Sequence, residues 1–215
     1  MKKLVIFDLD GTLVNTISDL AASVNHALAV NGYPQHPTDR YPMFVGNGIY
    51  KLIERALPEN SRNQQVIQAV KADFMAHYML HNTDHSTVYP FVSELLRHLQ
   101  AKGVMVAVLS NKVHQATVAM MEKLFPDINF CCVFGQRDGI PIKPDPVQAL
   151  QILQCAKVSK GDVLYVGDSG VDMQTAHNAG LTAVGVTWGL RPETELRQNS
   201  ADIVINHPLQ LLEHL

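Results

Sequence analysis

Short apolar runs recur along the chain with helix-length stretches between them. The runs are Leu4–Phe7, Val104–Leu109, Phe130–Phe134, Val163–Val166 and Thr182–Val186, with a weaker one at Asp202–Ile205. Most are rich in β-branched or aromatic residues and bounded by Gly, Asn or Asp, the pattern of strands buried on both faces of a parallel sheet. Helical periodicity fills the intervals. Val92, Leu95, Leu96 and Leu99 follow an i, i+3, i+4, i+7 stripe that Gly103 closes, and Val118, Met121 and Phe125 form another ahead of Pro126. Alternating strand and helix predict an α/β fold with a doubly wound parallel sheet.

One stretch breaks the alternation. From Asn15 to Thr87 no strand is evident, and three helical stripes take its place: Leu20, Val24 and Leu28; Ile49, Leu52, Ile53, Ala56 and Leu57, stopped by Pro58; and Val66, Val70, Phe74 and Tyr78. The chain therefore divides into an α/β core of residues 1–14 and 88–215 and an inserted helical domain of residues 15–87. Its links to the core are Leu13–Ser18 and His81–Tyr89, the second a polar run suited to a hinge. An insert in this position is expected to lie over the residues at the end of the first strand as a lid.

Bulk properties narrow the function classes. A net charge of −3 over 215 residues provides no field for nucleic acid or an anionic membrane, so an anionic ligand needs local positive groups. Three cysteines do not form a disulfide framework; the adjacent Cys131 and Cys132, in an apolar stretch, read as core thiols of a reducing compartment. No zinc spacing occurs among the cysteines and histidines. Lys2 and Lys3 precede too few apolar residues for a signal peptide, and no run reaches membrane-spanning length. These features predict a soluble cytoplasmic protein, monomer or homodimer.

Chemistry is concentrated where the strands end. The first strand runs into Asp8-Leu9-Asp10-Gly11-Thr12. Carboxylates beside a hydrophobic sheet are costly unless a cation or tight hydrogen bonding compensates, and two acids two residues apart lean to one side of extended backbone. The second strand ends in Ser110-Asn111-Lys112, where a hydroxyl, an amide and main-chain N–H groups can cradle an anion or simply cap the next helix. Lys143 is held between Ile142 and Pro144, as a fixed point charge for a phosphate or as a surface lysine before a helix. Val163–Val166 leads into Gly167-Asp168-Ser169-Gly170-Val171-Asp172. Convergence of Asp8, Asp10, Asp168 and Asp172 calls for a cation, and oxygen-only donors suit Mg²⁺.

In order and spacing, these motifs resemble those of the haloacid-dehalogenase (HAD) superfamily of phosphotransferases, with the helical insert similar to that superfamily's cap. The resemblance covers essentially the whole chain. It implies Asp8 as the nucleophile forming an aspartyl-phosphate and Asp10 as general acid and base. It implies Ser110, with Asn111 beside it, and Lys143 as phosphate-binding groups. It implies Asp8, the Asp10 carbonyl and Asp168 as Mg²⁺ ligands, with Asp172 a supporting acid. Phe7–Val14, Asp19-Leu20-Ala21, Phe44–Gly48, Glu54–Leu57 and Tyr165–Ser169 are similar to the phosphoglycolate phosphatases within it. Two positions depart: Asn15 stands where Asp is usual, and Phe91 where Gly usually follows Tyr-Pro.

The implied activity is Mg²⁺-dependent hydrolysis of a small phosphorylated metabolite, with 2-phosphoglycolate leading. A phosphomutase of the β-phosphoglucomutase type, or a phosphatase for another small phosphate or pyrophosphate, shares the same residues. Asn47, between glycines at the start of a strong helix, is the candidate cap residue for a substrate carboxylate, or a plain helix cap. Haloacid dehalogenation has no use for Asp10, and phosphonoacetaldehyde hydrolysis wants a cap lysine, for which Lys51 is poorly registered. A binding module does not need the intact acid and lysine set. A nucleotide-dependent oxidoreductase lacks its Gly-x-Gly-x-x-Gly. His177 reads as surface or packing, and Trp188 and Arg191 as cover for the sheet end.

Overall fold

The computed structural model describes residues 2–215. In chain order the elements are β1 (Leu4–Phe7), β2 (Val14–Asn15), α1 (Ile17–Val30), α2 (Gly48–Ala56), α3 (Gln64–His81), β3 (Thr87–Val88), α4 (Val92–Ala101), β4 (Met105–Val113), α5 (His114–Leu124), β5 (Phe130–Gln136), α6 (Val147–Ala156), β6 (Val163–Gly167), α7 (Gly170–Ala179), β7 (Thr182–Val186), α8 (Glu193–Gln198) and β8 (Ile203–Ile205). Contacts divide the chain into two compact units, Met1–Val14 with Val88–Leu215, and Asn15–Thr87.

The first unit is built on a six-stranded sheet in the order β5-β4-β1-β6-β7-β8. Every pairing in it is parallel. β1 lies between β4 and β6, where the strand order reverses, and the carboxyl ends at such a reversal are where open α/β sheets hold ligands. Successive β1 side chains alternate between two cores. Val5 and Phe7 pack with Leu95, Leu96 and Val108, while Leu4 and Ile6 pack with Ile152, Tyr165 and Met173. Helices therefore cover both faces, which is why the strands read as continuous apolar runs.

Several elements extend or shift relative to the sequence pattern. β4 continues through Ser110-Asn111-Lys112 to Val113, and its register with β5 shifts between Leu109 and Val113. The trio thus belongs to an irregular strand end rather than to a helix cap. On α5 the buried face is Ala116, Thr117, Met120 and Met121, with Val118 only half-buried. Cys131 is exposed, Cys132 buried and Cys155 exposed, which corrects the reading of Cys131 as a core thiol. β5 is an outer strand, and consecutive residues face opposite ways, so only one of an adjacent pair turns to the core.

In the second unit, α1 packs on α3 and α2 on α3. Leu20, Val24 and Leu28, then Ile49, Leu52, Ile53 and Ala56, then Val70, Phe74 and Tyr78 are all buried. Ile67, not Val66, completes the α3 stripe, because 3.6-residue periodicity drifts along a helix of this length. The polar run after α3 is not loose. Asp19, buried in the first turn of α1, accepts the main-chain N–H groups of His85 (2.9 Å) and Ser86 (2.8 Å) and the Ser86 hydroxyl (2.6 Å).

Candidate active site

The α/β unit gathers charged side chains from four segments, those at the carboxyl ends of β1, β4, β5 and β6. Asp8 follows β1, where its main-chain N–H is held by the Val166 carbonyl of β6 at 2.9 Å. Asp168 follows β6, and Asp172 sits in the first turn of α7. Asp8, Asp168 and Asp172 are all buried, and each offers a carboxylate oxygen within 4.8 Å of the others. Gly11, at φ +93°, makes this possible: a Cβ there would stand 2.3 Å from an Asp168 oxygen. A Cβ on Gly167 would likewise collide with Asp172 at 2.3 Å.

Lys143 is the counter-charge. Its buried ammonium donates to Asp8 Oδ1 (2.8 Å) and to Asp172 Oδ1 (2.7 Å). Asn111 fixes it from behind, accepting the Lys143 N–H at 2.9 Å and donating to the Lys143 carbonyl at 3.1 Å. The amide of Asn111 is thus turned to the Lys143 main chain. Asp172 is engaged on both oxygens, since Oδ2 accepts from the Ser169 N–H (3.1 Å) and hydroxyl (2.6 Å). Asp172 therefore anchors Lys143 as well as closing the acid cluster. The Ser110 hydroxyl oxygen accepts the Lys112 N–H at 3.2 Å, which favours aiming its proton elsewhere.

A second ion pair lies beside the first. Lys112 Nζ donates to Asp10 Oδ1 at 2.8 Å, both side chains being largely shielded from solvent. The sequence pattern treats Lys112 only as part of a cradle; its partner is 102 positions away, so no local signal reveals the pair. The segment after β7 also contributes. Leu190 N–H donates to Asp168 Oδ2 at 2.6 Å, and Trp188 Nε1 donates to the Thr12 carbonyl at 3.0 Å. Burial, then the charges of Asp168 and Asp10, push the Tyr89 phenol up to about 12, which places this side chain within electrostatic reach of the acids.

The electrostatics reflect the crowding of buried acids. Burial first, then Asp172, raises the Asp8 carboxyl to about 7 against the opposing pull of Lys143. Burial, then Asp172 and Asp8, holds Asp168 well above the usual carboxylate range. Burial alone would lower Lys143, yet Asp172 and Asp8 outweigh it and keep the ammonium charged. With all four acids ionised, Asp8, Asp10, Asp168 and Asp172 outnumber Lys112 and Lys143 by two charges. A donor set of carboxylates, with no imidazole or thiolate, fits a hard divalent cation. Among the described residues this is the one group of at least three ligating side chains close enough to share an ion.

Asn47 lies in the other unit, at the N-terminus of α2, and its side chain does not cap that helix. Its Oδ1 instead accepts from Arg55 Nη2 at 2.7 Å, while Arg55 Nη1 holds the Phe44 carbonyl at 2.9 Å. The Arg55 guanidinium thereby shapes the Phe44–Asn47 loop. His177, half-exposed, lies 3.4 Å from Asp202, away from the acids, and Arg191 lies 3.6 Å from Glu195.

Residues 5–186 match the family model of the haloacid dehalogenase-like hydrolases. The phosphoglycolate phosphatase of Pasteurella multocida (strain Pm70) is 35% identical over 216 residues, covering 98% of this chain and 96% of its own length. That of Haemophilus influenzae (strain ATCC 51907 / DSM 11121 / KW20 / Rd) is 34% identical over 219 residues, covering 99% and 98%. A solved structure from Lactobacillus delbrueckii subsp. bulgaricus ATCC BAA-365 superposes with a TM-score of 0.93 at 28% identity, covering 100% of this chain and 98% of that one.

Proposed function

Because the chain belongs to the haloacid dehalogenase-like hydrolases and is a phosphoric monoester hydrolase, we propose that it hydrolyses 2-phosphoglycolate through an aspartyl-phosphate on Asp8, with Mg²⁺ as its metal. The observation that carries the reading is the buried Lys143 ammonium gripped by Asp8 and Asp172 at the mouth of β1. It is a positive charge beside a nucleophile, where a phosphoryl group has to dock.

Asp8 attacks phosphorus and the ester oxygen leaves, its proton supplied by Asp10. A water molecule then gives a proton to Asp10 and cleaves the acyl-phosphate bond, releasing phosphate and restoring Asp8. Lys143 and the Ser110 hydroxyl hold the equatorial oxygens as their charge redistributes. Asn111 acts through Lys143, whose main chain it clamps. Lys112 holds one oxygen of Asp10 and so directs the other. Mg²⁺, held by Asp8, Asp168 and the Asp10 carbonyl with Asp172 in support, would supply neutralisation of the repulsion between carboxylate and phosphate.

The small acid carried by the substrate asks for a polar donor. Asn47, its oxygen taken by Arg55, has its amide N–H groups left to donate, and we assign it to the substrate carboxylate. A reducing, Mg²⁺-rich cytoplasm suits a chain whose three cysteines are free thiols.

The test is a panel of small phosphate esters ranked by kcat/KM with and without Mg²⁺. The reading expects 2-phosphoglycolate at the head, loss of turnover in EDTA, and an acid-stable mass increase of one phosphoryl group on Asp8 when turnover is quenched. Asn47→Ala should lower kcat/KM for 2-phosphoglycolate about tenfold or more, as loss of a hydrogen bond to a charged group does, and leave p-nitrophenyl phosphate nearly unchanged. Equal losses on both remove Asn47 from specificity. A hexose phosphate at the head of the panel overturns the substrate.

A further inference from the structure

Among the described residues the Tyr165 hydroxyl is fully enclosed and closes no hydrogen bond. Tyr165 lies in the middle of β6, level with Ile6 of β1, and its side chain belongs to the core of Leu4, Ile6, Ile152 and Met173. Side chains two apart on a strand share a face. Two residues on from Ile6 is Asp8, and two on from Tyr165 is Gly167, where a Cβ would meet Asp172 at 2.3 Å. The phenol thus starts one pleat below the two acids that grip Lys143. The Lys143 ammonium is near enough to pull on it, yet burial above all, with Asp172 and Asp8 adding to it, holds the phenol well above the usual tyrosine range. The hydroxyl is therefore neutral, and it offers a lone pair as well as a proton.

Folding alone does not favour such a group. An enclosed hydroxyl with no partner is destabilising, and phenylalanine fills nearly the same space without that penalty. Departures of this kind gather where function makes a demand. Lys143 shows what the demand is. An ammonium has three N–H groups; one goes to Asp8 and one to Asp172, which leaves the third for a phosphoryl oxygen. Once an oxygen of Asp8 is bonded to phosphorus, that side chain loses its charge and becomes a poorer acceptor. One buried N–H of Lys143 then needs another oxygen.

We propose that Tyr165 is a positioning residue whose hydroxyl oxygen takes the N–H that Asp8 gives up, keeping Lys143 in place while the phosphoryl group is on Asp8. This role rests on the aspartyl-phosphate reading given above. Tyr165 acts only through Lys143, and its effect falls on the second half of the reaction, when water cleaves the acyl-phosphate. No bond to the phenol is made or broken, and its proton stays on oxygen.

The test is Tyr165→Phe in the full chain with Mg²⁺, in single-turnover rapid-quench experiments on p-nitrophenyl phosphate that follow the phosphoryl group on Asp8 by intact mass. Decay of the phosphoenzyme should slow about tenfold, the scale of one hydrogen bond to a charged group, while its formation keeps the parental rate. Tm should equal or exceed that of the parent, because the enclosed hydroxyl has gone. Tyr78→Phe, the same deletion at a buried phenol of the helical unit, should alter neither rate. Decay of Y165F at the parental rate, equal slowing in Y78F, or a lowered Tm in Y165F overturns the role of Tyr165. A parent that never carries a phosphoryl group on Asp8 overturns the aspartyl-phosphate reading itself, so the parent alone tells the two failures apart.

Discussion

Phe91 shows how much one backbone angle can explain. It precedes α4 with φ +64° and ψ −3°, a left-handed conformation, and its ring lies 4.6 Å from that of His207. The family pattern favours Gly here because a side chain in this conformation costs ~1–2 kcal/mol. Contact with His207 offsets part of that. Phe91→Gly should therefore change stability by no more than ~1 kcal/mol in either direction in denaturant unfolding, the relief of strain opposing the flexibility of Gly. A loss of several kcal/mol would show that ring packing dominates. Gly11 has no such latitude. Gly11→Ala puts a methyl group into Asp168, and a misplacement of that size should lower kcat by at least ~100-fold while circular dichroism stays unchanged. Lys112→Met removes the buried ammonium paired with Asp10. It should lower kcat by ~10²-fold or more, the scale of a general acid, with little change in KM; an unaltered kcat would remove Lys112 from the machinery.

At the level of elements, the apolar runs located each strand of the main sheet, and the stripes located α1 to α5 but not α6, α7 or α8. Ends and registers were less legible. β4 outlasts its apolar run because Ser110, Asn111 and Lys112 continue as irregular strand beyond the hydrophobic signal. Asp19 was readable only as part of a family stretch, since the groups it satisfies lie at His85 and Ser86, beyond two further helices. Its three hydrogen bonds tie the start of α1 to the segment leaving α3. Asp19→Asn removes the charge from all three and turns an amide N–H₂ toward donors. Unfolding of the full chain should lose ~2–3 kcal/mol, and a protease should cut near residues 82–88 that resist it in the parent. An uncut variant of parental stability would mean that water replaces the carboxylate without loss.

For the whole molecule, charge balance governs the response to pH. The α/β core concentrates a negative surplus that the net charge of −3 barely hints at. The acids were visible in the sequence because each follows an apolar strand. Lys112, Tyr89 and the Leu190 N–H were not, because strand order, rather than spacing, brings them in. Asp8 has a folded pKa raised from 3.8 to about 7, so without metal the folded state holds more protons than the unfolded one between those values. That contribution is complete at acid pH and is lost as pH climbs through the folded pKa near 7. A divalent cation held by these acids would replace the departing protons. Mg²⁺ should therefore raise Tm more at pH 8 than at pH 6 in thermal scans of EDTA-stripped protein, and equal shifts would deny the coupling of Asp8 to the ion. No helix among the described residues is long and apolar enough to cross a membrane.

Asp8 follows a central strand of the six, whose side chains are shut away from water almost completely. Amides there should be the last to trade hydrogen for deuterium, since such strands open only when everything opens. The outer strands β5 and β8 should exchange first, so the acids that follow β1 and β6 keep their places while the edges of the sheet open.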